Sequence, residues 1–161
     1  MKTNRGNVLL GFIASTILVA ICIGGVVFLF NYFKGARQDI LSKDVKIETL
    51  VQGTGGGAKQ GDTVIVNYIG TLPDSTPFDD TYKKGVPLKV IIGERRVIPG
   101  WEKGLLGIKK GEKRLLTIPP ALAYGPRGYP DPSGSGFIIP PDSYIIFTVE
   151  AIDLSSRGYL Q

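Results

Sequence analysis

Few side chains in this sequence can do chemistry, and most of those are aromatic. Phe78-Asp79, Val97-Ile98-Pro99-Gly100-Trp101, Ala123-Tyr124-Gly125 and Ile138-Ile139-Pro140-Pro141 supply a carboxylate, a phenol, the single tryptophan and a set of apolar side chains. There is no histidine, which removes the usual neutral-pH general base and the commonest zinc ligand, and with them His-dependent triads and most zinc chemistry. The one cysteine, Cys22, sits in an apolar run, so no intrachain disulfide can form. The run Gly53-Thr54-Gly55-Gly56-Gly57 lacks the Gly-Lys-Ser/Thr ending of a phosphate loop and reads as a turn. What remains suits non-covalent recognition, in which an apolar cleft carries a few hydrogen-bonding groups that fix a ligand in one register.

Together the four segments resemble the FK506-binding-protein (FKBP) family of peptidyl-prolyl cis–trans isomerases. The likeness covers Val45 to Leu154 and takes in Val64-Ile65-Val66-Asn67-Tyr68 and Phe147-Thr148-Val149-Glu150. It implies an FKBP-like α+β fold, an antiparallel β-sheet wrapped around one short α-helix, with the cleft between that helix and the concave face of the sheet. By this resemblance Trp101 is the indole at the cleft floor, and Tyr68, Phe78, Val97, Ile98 and Phe147 are apolar walls around a proline ring. Taken alone, Val97 and Phe147 would read as core. Leu88, Ile138 and Ile139 join the substrate-binding set. Asp79 matches a carboxylate that accepts from Tyr68 without acting as acid or base, and Asp80 reads as a solvated turn residue. The Tyr124 hydroxyl and the Ile98 N–H match donors to a substrate carbonyl. The catalytic set is therefore Asp79, Tyr124 and Trp101. The implied partners are proline-containing polypeptides and FK506- or rapamycin-type macrolides, with no cofactor and no metal.

Such a site needs no nucleophile. The barrier to turning an Xaa-Pro bond is the loss of amide resonance, about 18 to 20 kcal/mol, and the task is to favour the twisted amide. Departures from the family pattern fall at the cleft edge. Leu88 and Val90 stand where well-studied members often carry aromatics, Tyr129 where many carry histidine, and 129–137 is longer than the family's compact loop. The Gly and Ser residues of that loop predict mobility, limited by Pro130 and Pro132. The softened wall and altered loop motivate a second reading, a membrane-tethered chaperone or adaptor that grips proline-containing segments without significant turnover.

The elements that must position these residues are mostly strands. Alternating apolar residues bounded by Gly, Pro or Asp predict strands at 45–51, 63–70, 88–92, 112–118 and 143–153. One segment, Gly100 to Leu106, reads as a helix, opening after Pro99 and closing at Gly107, with Trp101 and Leu105 four apart on one face. The net charge of +5 divides into +3 over residues 1–44 and +2 over 45–161. So nearly neutral a domain has little electrostatic reason to bind nucleic acid. Lys109-Lys110 and Lys113-Arg114 read as a solvated turn rather than a docking patch.

Residues 1–7 form a short basic amino terminus, and 8–33 are almost continuously apolar, with no charge from Gly6 to Phe33. A bilayer core about 30 Å thick takes roughly 20 such residues in a helix. The aromatic end, Phe28-Leu29-Phe30-Asn31-Tyr32-Phe33, suits a membrane–water interface better than a cleavage site. The run is read as one transmembrane signal-anchor helix, with a secretory signal that is cleaved as the alternative. Cys22 follows the bulky Ile21 and reads as a buried apolar cysteine rather than a lipid attachment site. Residues 34–44 are a polar linker and 45–161 the isomerase domain, held outside the cytoplasm. Gly24-Gly25 lacks the spacing of a helix-dimer face, so the chain is expected to be a monomer.

Overall fold

The computed structural model describes residues 43–156. The expected signal-anchor at 8–33 and most of the linker lie outside them, as do residues 157–161. Among the described residues no helix is long and apolar enough to cross a membrane.

Six strands form one antiparallel sheet: β1 (Lys46–Val51), β2 (Thr63–Thr71), β3 (Pro77–Asp80), β4 (Leu88–Ile91), β5 (Lys113–Ile118) and β8 (Ile145–Ser155). Their order is β1-β5-β8-β2-β3, with β4 also paired to β2. Strict alternation sets the faces. β2 buries Val64, Val66 and Tyr68; β5 buries Leu116 and Ile118; β8 buries Ile145, Phe147, Val149 and Ala151. Register places Phe147 between Gly70 and Leu116, so its ring rises from the centre of the concave face. A Cβ on Gly70 would lie 2.7 Å from the Phe147 ring and 2.8 Å from Phe78, and the absence of a side chain makes room for both rings.

Helix α2 (Pro99–Leu105) crosses that face with Pro99 in its first turn, where the missing N–H costs nothing. Gly100 and Gly104, one turn apart, let it lie directly on β5, since a Cβ would fall 2.3 Å from Ile118 and 2.6 Å from Leu116. Its far end is tied down by Arg114. That guanidinium donates to the Gly104 and Leu106 carbonyls at 2.8 and 3.0 Å and to Glu112 at 2.6 Å. Arg114 is thus a buried strut rather than part of a solvated turn, whereas Lys110 and Lys113 pair with Asp153 and Glu150 at the surface.

The predicted strands are present with ends shifted by one or two residues, and 143–144 stay outside β8. The expectation of a single helix fails. A one-turn helix, α1 (Thr81–Lys84), follows β3, and 3₁₀ turns occupy Pro120–Leu122 and Gly125–Arg127. β3 and β4 run the same way along one edge of β2, beside Ile69–Thr71 and Thr63–Val66 respectively, and α1 bulges out between them. Opposite Tyr68, where edge-strand backbone is missing, the buried Thr81 hydroxyl takes its place.

The 129–137 loop is a short hairpin, β6 (Tyr129–Pro130) with β7 (Phe137–Ile139). Asp131 organises its tip by accepting from the Ser133 N–H at 2.8 Å and the Ser135 hydroxyl at 3.2 Å.

Candidate functional site

Between α2, the concave face and the β6–β7 hairpin lies a cleft of about 660 Å³. Trp101, only 3% exposed, forms its floor. The indole meets Tyr68 at 4.9 Å and Phe147 at 5.1 Å between ring centroids, both edge to face. Phe78 meets Phe147 at 5.5 Å in the same manner. This geometry is favoured by the ring quadrupoles, so the four rings hold one another and leave a rigid apolar surface. Val97, Ile98, Leu88, Ile138 and Ile139 complete the apolar lining. Every residue expected at the site lines this one cleft. Val90 does not. It points into the core, so of the two residues expected to soften a wall only Leu88 meets the cleft.

Asp79 closes one end of the cleft. Its carboxylate accepts from the Tyr68 hydroxyl at 2.6 Å, from the Asp80 N–H at 2.8 Å and from the Lys84 ammonium. Burial opposes the charged form, but the hydrogen bonds from Lys84 and Tyr68 outweigh it and hold the carboxyl below its ordinary range. Tyr68 moves the opposite way: burial pushes its phenol up and the bond to Asp79 pushes it further. At neutral pH the pair is therefore an ionised acceptor and a protonated donor. It supplies a fixed field and moves no proton.

Tyr124 is half-buried, and burial, with Tyr129 and Asp79 nearby, raises its phenol too. Tyr129 leans against it at 5.5 Å and 50°. The Ile98 carbonyl is used by α2, accepting from Trp101 and Glu102, while its N–H makes no backbone hydrogen bond among the described residues. A phenol and an amide N–H thus border an apolar floor. Among the described residues no cluster of three or more His, Cys, Asp or Glu side chains is placed to hold a metal ion.

Sequence reasoning missed Lys84 and Thr81, and it placed Tyr129 at the cleft edge without counting it among the site residues. A signal for the first two was present. Asp80 caps α1 by accepting from the Tyr82 and Lys83 N–H groups, and Gly85 ends it in the left-handed conformation (φ 69°), an N-cap-to-glycine pattern four residues long. Asp80 is thus a helix cap rather than a solvated turn residue. That single turn brings Lys84 back over Asp79.

An aromatic-floored cleft bordered by a paired carboxylate, a phenol and a backbone N–H suits a protein that binds and orients an apolar group without attacking it. Residues 55–152 match the family described as FKBP-type peptidyl-prolyl cis-trans isomerase. FK506-binding protein 2 of Yarrowia lipolytica is 50% identical over 101 residues, 63% of this chain and 66% of that protein. The FKBP-type isomerase FkpA of Escherichia coli is 48% identical over 121 residues, 75% of this chain and 41% of that one. FK506-binding protein 1 of Saccharomyces cerevisiae is 38% identical over 119 residues, 73% of this chain and 99% of that one. The crystal structure of AtFKBP13 superposes with a TM-score of 0.63 at 37% identity, covering 69% of this chain and 93% of its own. This chain thus spans nearly all of the yeast protein but well under half of FkpA. The chain belongs to the FKBP-type peptidyl-prolyl cis–trans isomerase family.

Proposed function

We propose that the domain accelerates Xaa-Pro isomerisation in folding polypeptides, working as a monomer from a single-pass membrane tether outside the cytoplasm. One observation carries the enzymatic part. All the residues expected at the site, drawn from distant parts of the chain and with Asp79, Tyr124 and Trp101 among them, line one cleft of about 660 Å³.

In this reading the proline ring sits on Trp101 between Phe78, Val97 and Phe147. The planar amide is the more polar form, so moving it into a water-poor cleft penalises the ground state more than the twisted state. The Tyr124 hydroxyl and the Ile98 N–H hold flanking carbonyls while the bond turns. The ionised Asp79 keeps the Tyr68 ring fixed and adds a local field. Each 1.36 kcal/mol of preference for the twisted amide gives a factor of ten, and the uncatalysed reaction takes about tens to hundreds of seconds, so a modest preference matters. FK506- and rapamycin-type macrolides would occupy the same floor.

The tether rests on the uncharged, apolar residues 8–33 and their basic flanks. With residues 34–44 as linker, 45–161 would work close to the bilayer.

The test is refolding of a protein limited by a native cis-proline, with the full chain in mild detergent. The slow phase should shorten in proportion to enzyme and recover with Trp101→Ala. A slow phase unchanged by the wild-type chain rules out the isomerase. For the tether, extraction from membranes by alkali, or a mature form beginning after residue 33, would contradict a spanning anchor.

A further inference from the structure

Helix α1 is one turn long, far too short to hold its own direction, so its side chains must orient it. Thr81 anchors it inward, accepting from the Tyr68 N–H at 2.8 Å. Lys84 reaches into the cleft to Asp79. Tyr82 points the other way, onto the outer face of the sheet, and is 49% exposed. Its hydroxyl donates to Glu150 Oε2 at 2.8 Å, and Lys113 lies 3.1 Å from the same oxygen. Glu150 stands opposite Asn67 of β2 and Lys113 of β5, so this one phenol ties α1 to the central strands.

We infer that Tyr82 is a positioning residue for the cleft: acting from the outer face through Glu150, it holds α1 at the angle that keeps Lys84 on Asp79. The two anchors, Thr81 inward and Tyr82 outward, fix the turn from opposite sides. Without Tyr82 the turn keeps the Asp80 cap at its start and Thr81 on its inner side but loses its outer tie, so its far end can swing and Lys84, two residues beyond Tyr82, moves off the carboxylate. Asp79 is faced by Tyr68 from β2, Lys84 from α1 and Tyr124 from the segment after β5. Glu150 is faced by Tyr82 and Lys113, and Tyr82 also feels Asp80. Burial and then Glu150 push the Tyr82 phenol up to about 12, so it remains a donor at neutral pH.

The inference deepens the isomerase reading, and one of its two readouts does not depend on activity. Full-length chain in detergent is compared as wild type, Tyr82→Phe, Glu150→Gln, Lys84→Met and the Tyr82→Phe/Lys84→Met double variant. Asp79 is titrated by carboxyl-carbon NMR, and Xaa-Pro exchange is measured on the same samples. Tyr82→Phe should raise the Asp79 pKa towards its ordinary value and lower kcat/KM by about three-fold, and Glu150→Gln, whose amide oxygen can still accept from Tyr82, should do so less. In the Lys84→Met background Tyr82→Phe should change neither quantity further. An Asp79 titration left at its wild-type value by Tyr82→Phe overturns the inference, as does an equal shift with and without Lys84. An inactive wild type would sink the isomerase reading and leave the titration to decide this one.

Discussion

The Thr81 hydroxyl replaces a missing piece of strand beside Tyr68, accepting from the Tyr68 N–H at 2.8 Å and lying 3.2 Å from the Tyr68 carbonyl. The same tyrosine holds Asp79 through its phenol. The sheet edge and the cleft thus share one residue, and a change at the edge is felt at the site.

Thr81→Val keeps the shape of the side chain but strands a buried N–H. It should cost about 1 to 3 kcal/mol in urea unfolding, while Thr81→Ser should cost under about 1. A larger cost for Thr81→Ser than for Thr81→Val would show that the methyl, not the hydroxyl, matters.

Gly100→Ala and Gly104→Ala test the seating of α2. Alanine favours a helix by about 1 kcal/mol, but each new Cβ would lie within 2.6 Å of a buried β5 side chain, and overpacking of about 1 to 3 kcal/mol should outweigh that gain, for a net loss of up to about 2 kcal/mol. Gly56→Ala, with nothing within 4 Å of its Cβ, should stay within about 0.5 kcal/mol. Urea midpoints of the three variants decide this.

Much of this was legible in the sequence, for identifiable reasons. β2 and β8 alternate cleanly because one face is core and the other meets solvent, and the lone Trp101 after Ile-Pro-Gly marked the cleft floor. β3 and α1 were illegible because Pro77–Lys84 is an edge strand broken by a one-turn bulge, too short for either period to appear. The burial of Arg114 was hidden as well. A basic cluster looks the same in sequence whether its members meet water or helix carbonyls. Tyr129 was legible at the cleft edge, but its packing against Tyr124 came only with the fold of the hairpin.

Acid should unfold the domain through a few carboxylates. In Asp79 and Glu112 burial opposes ionisation but is outweighed, by Lys84 and Tyr68 in one and by Arg114 and the Lys109 N–H in the other. In Glu150 the Tyr82 and Lys113 bonds dominate. All three pKa values are lower folded than unfolded, so their contribution is complete above the ordinary values of 3.8 and 4.5 and is lost as pH falls through the folded ones. Urea midpoints should be level down to about pH 5 and fall below about pH 4, with a shallower fall in Glu112→Gln. A fall that begins near neutrality would point to another group.

Tyr129→Ala should loosen Tyr124 and widen the cleft mouth. FK506 should bind about two- to ten-fold more weakly, read by the quenching of Trp101 fluorescence. Unchanged affinity would place Tyr129 outside the binding surface.

The most direct measurement is exchange NMR between the cis and trans forms of a short Xaa-Pro peptide, with the full chain present at catalytic concentration. If the cleft turns the bond, exchange accelerates and returns to the uncatalysed rate when FK506 fills the site. If the peptide perturbs Trp101 fluorescence while exchange stays at the uncatalysed rate, the cleft grips proline without turning it, and the isomerase assignment is wrong.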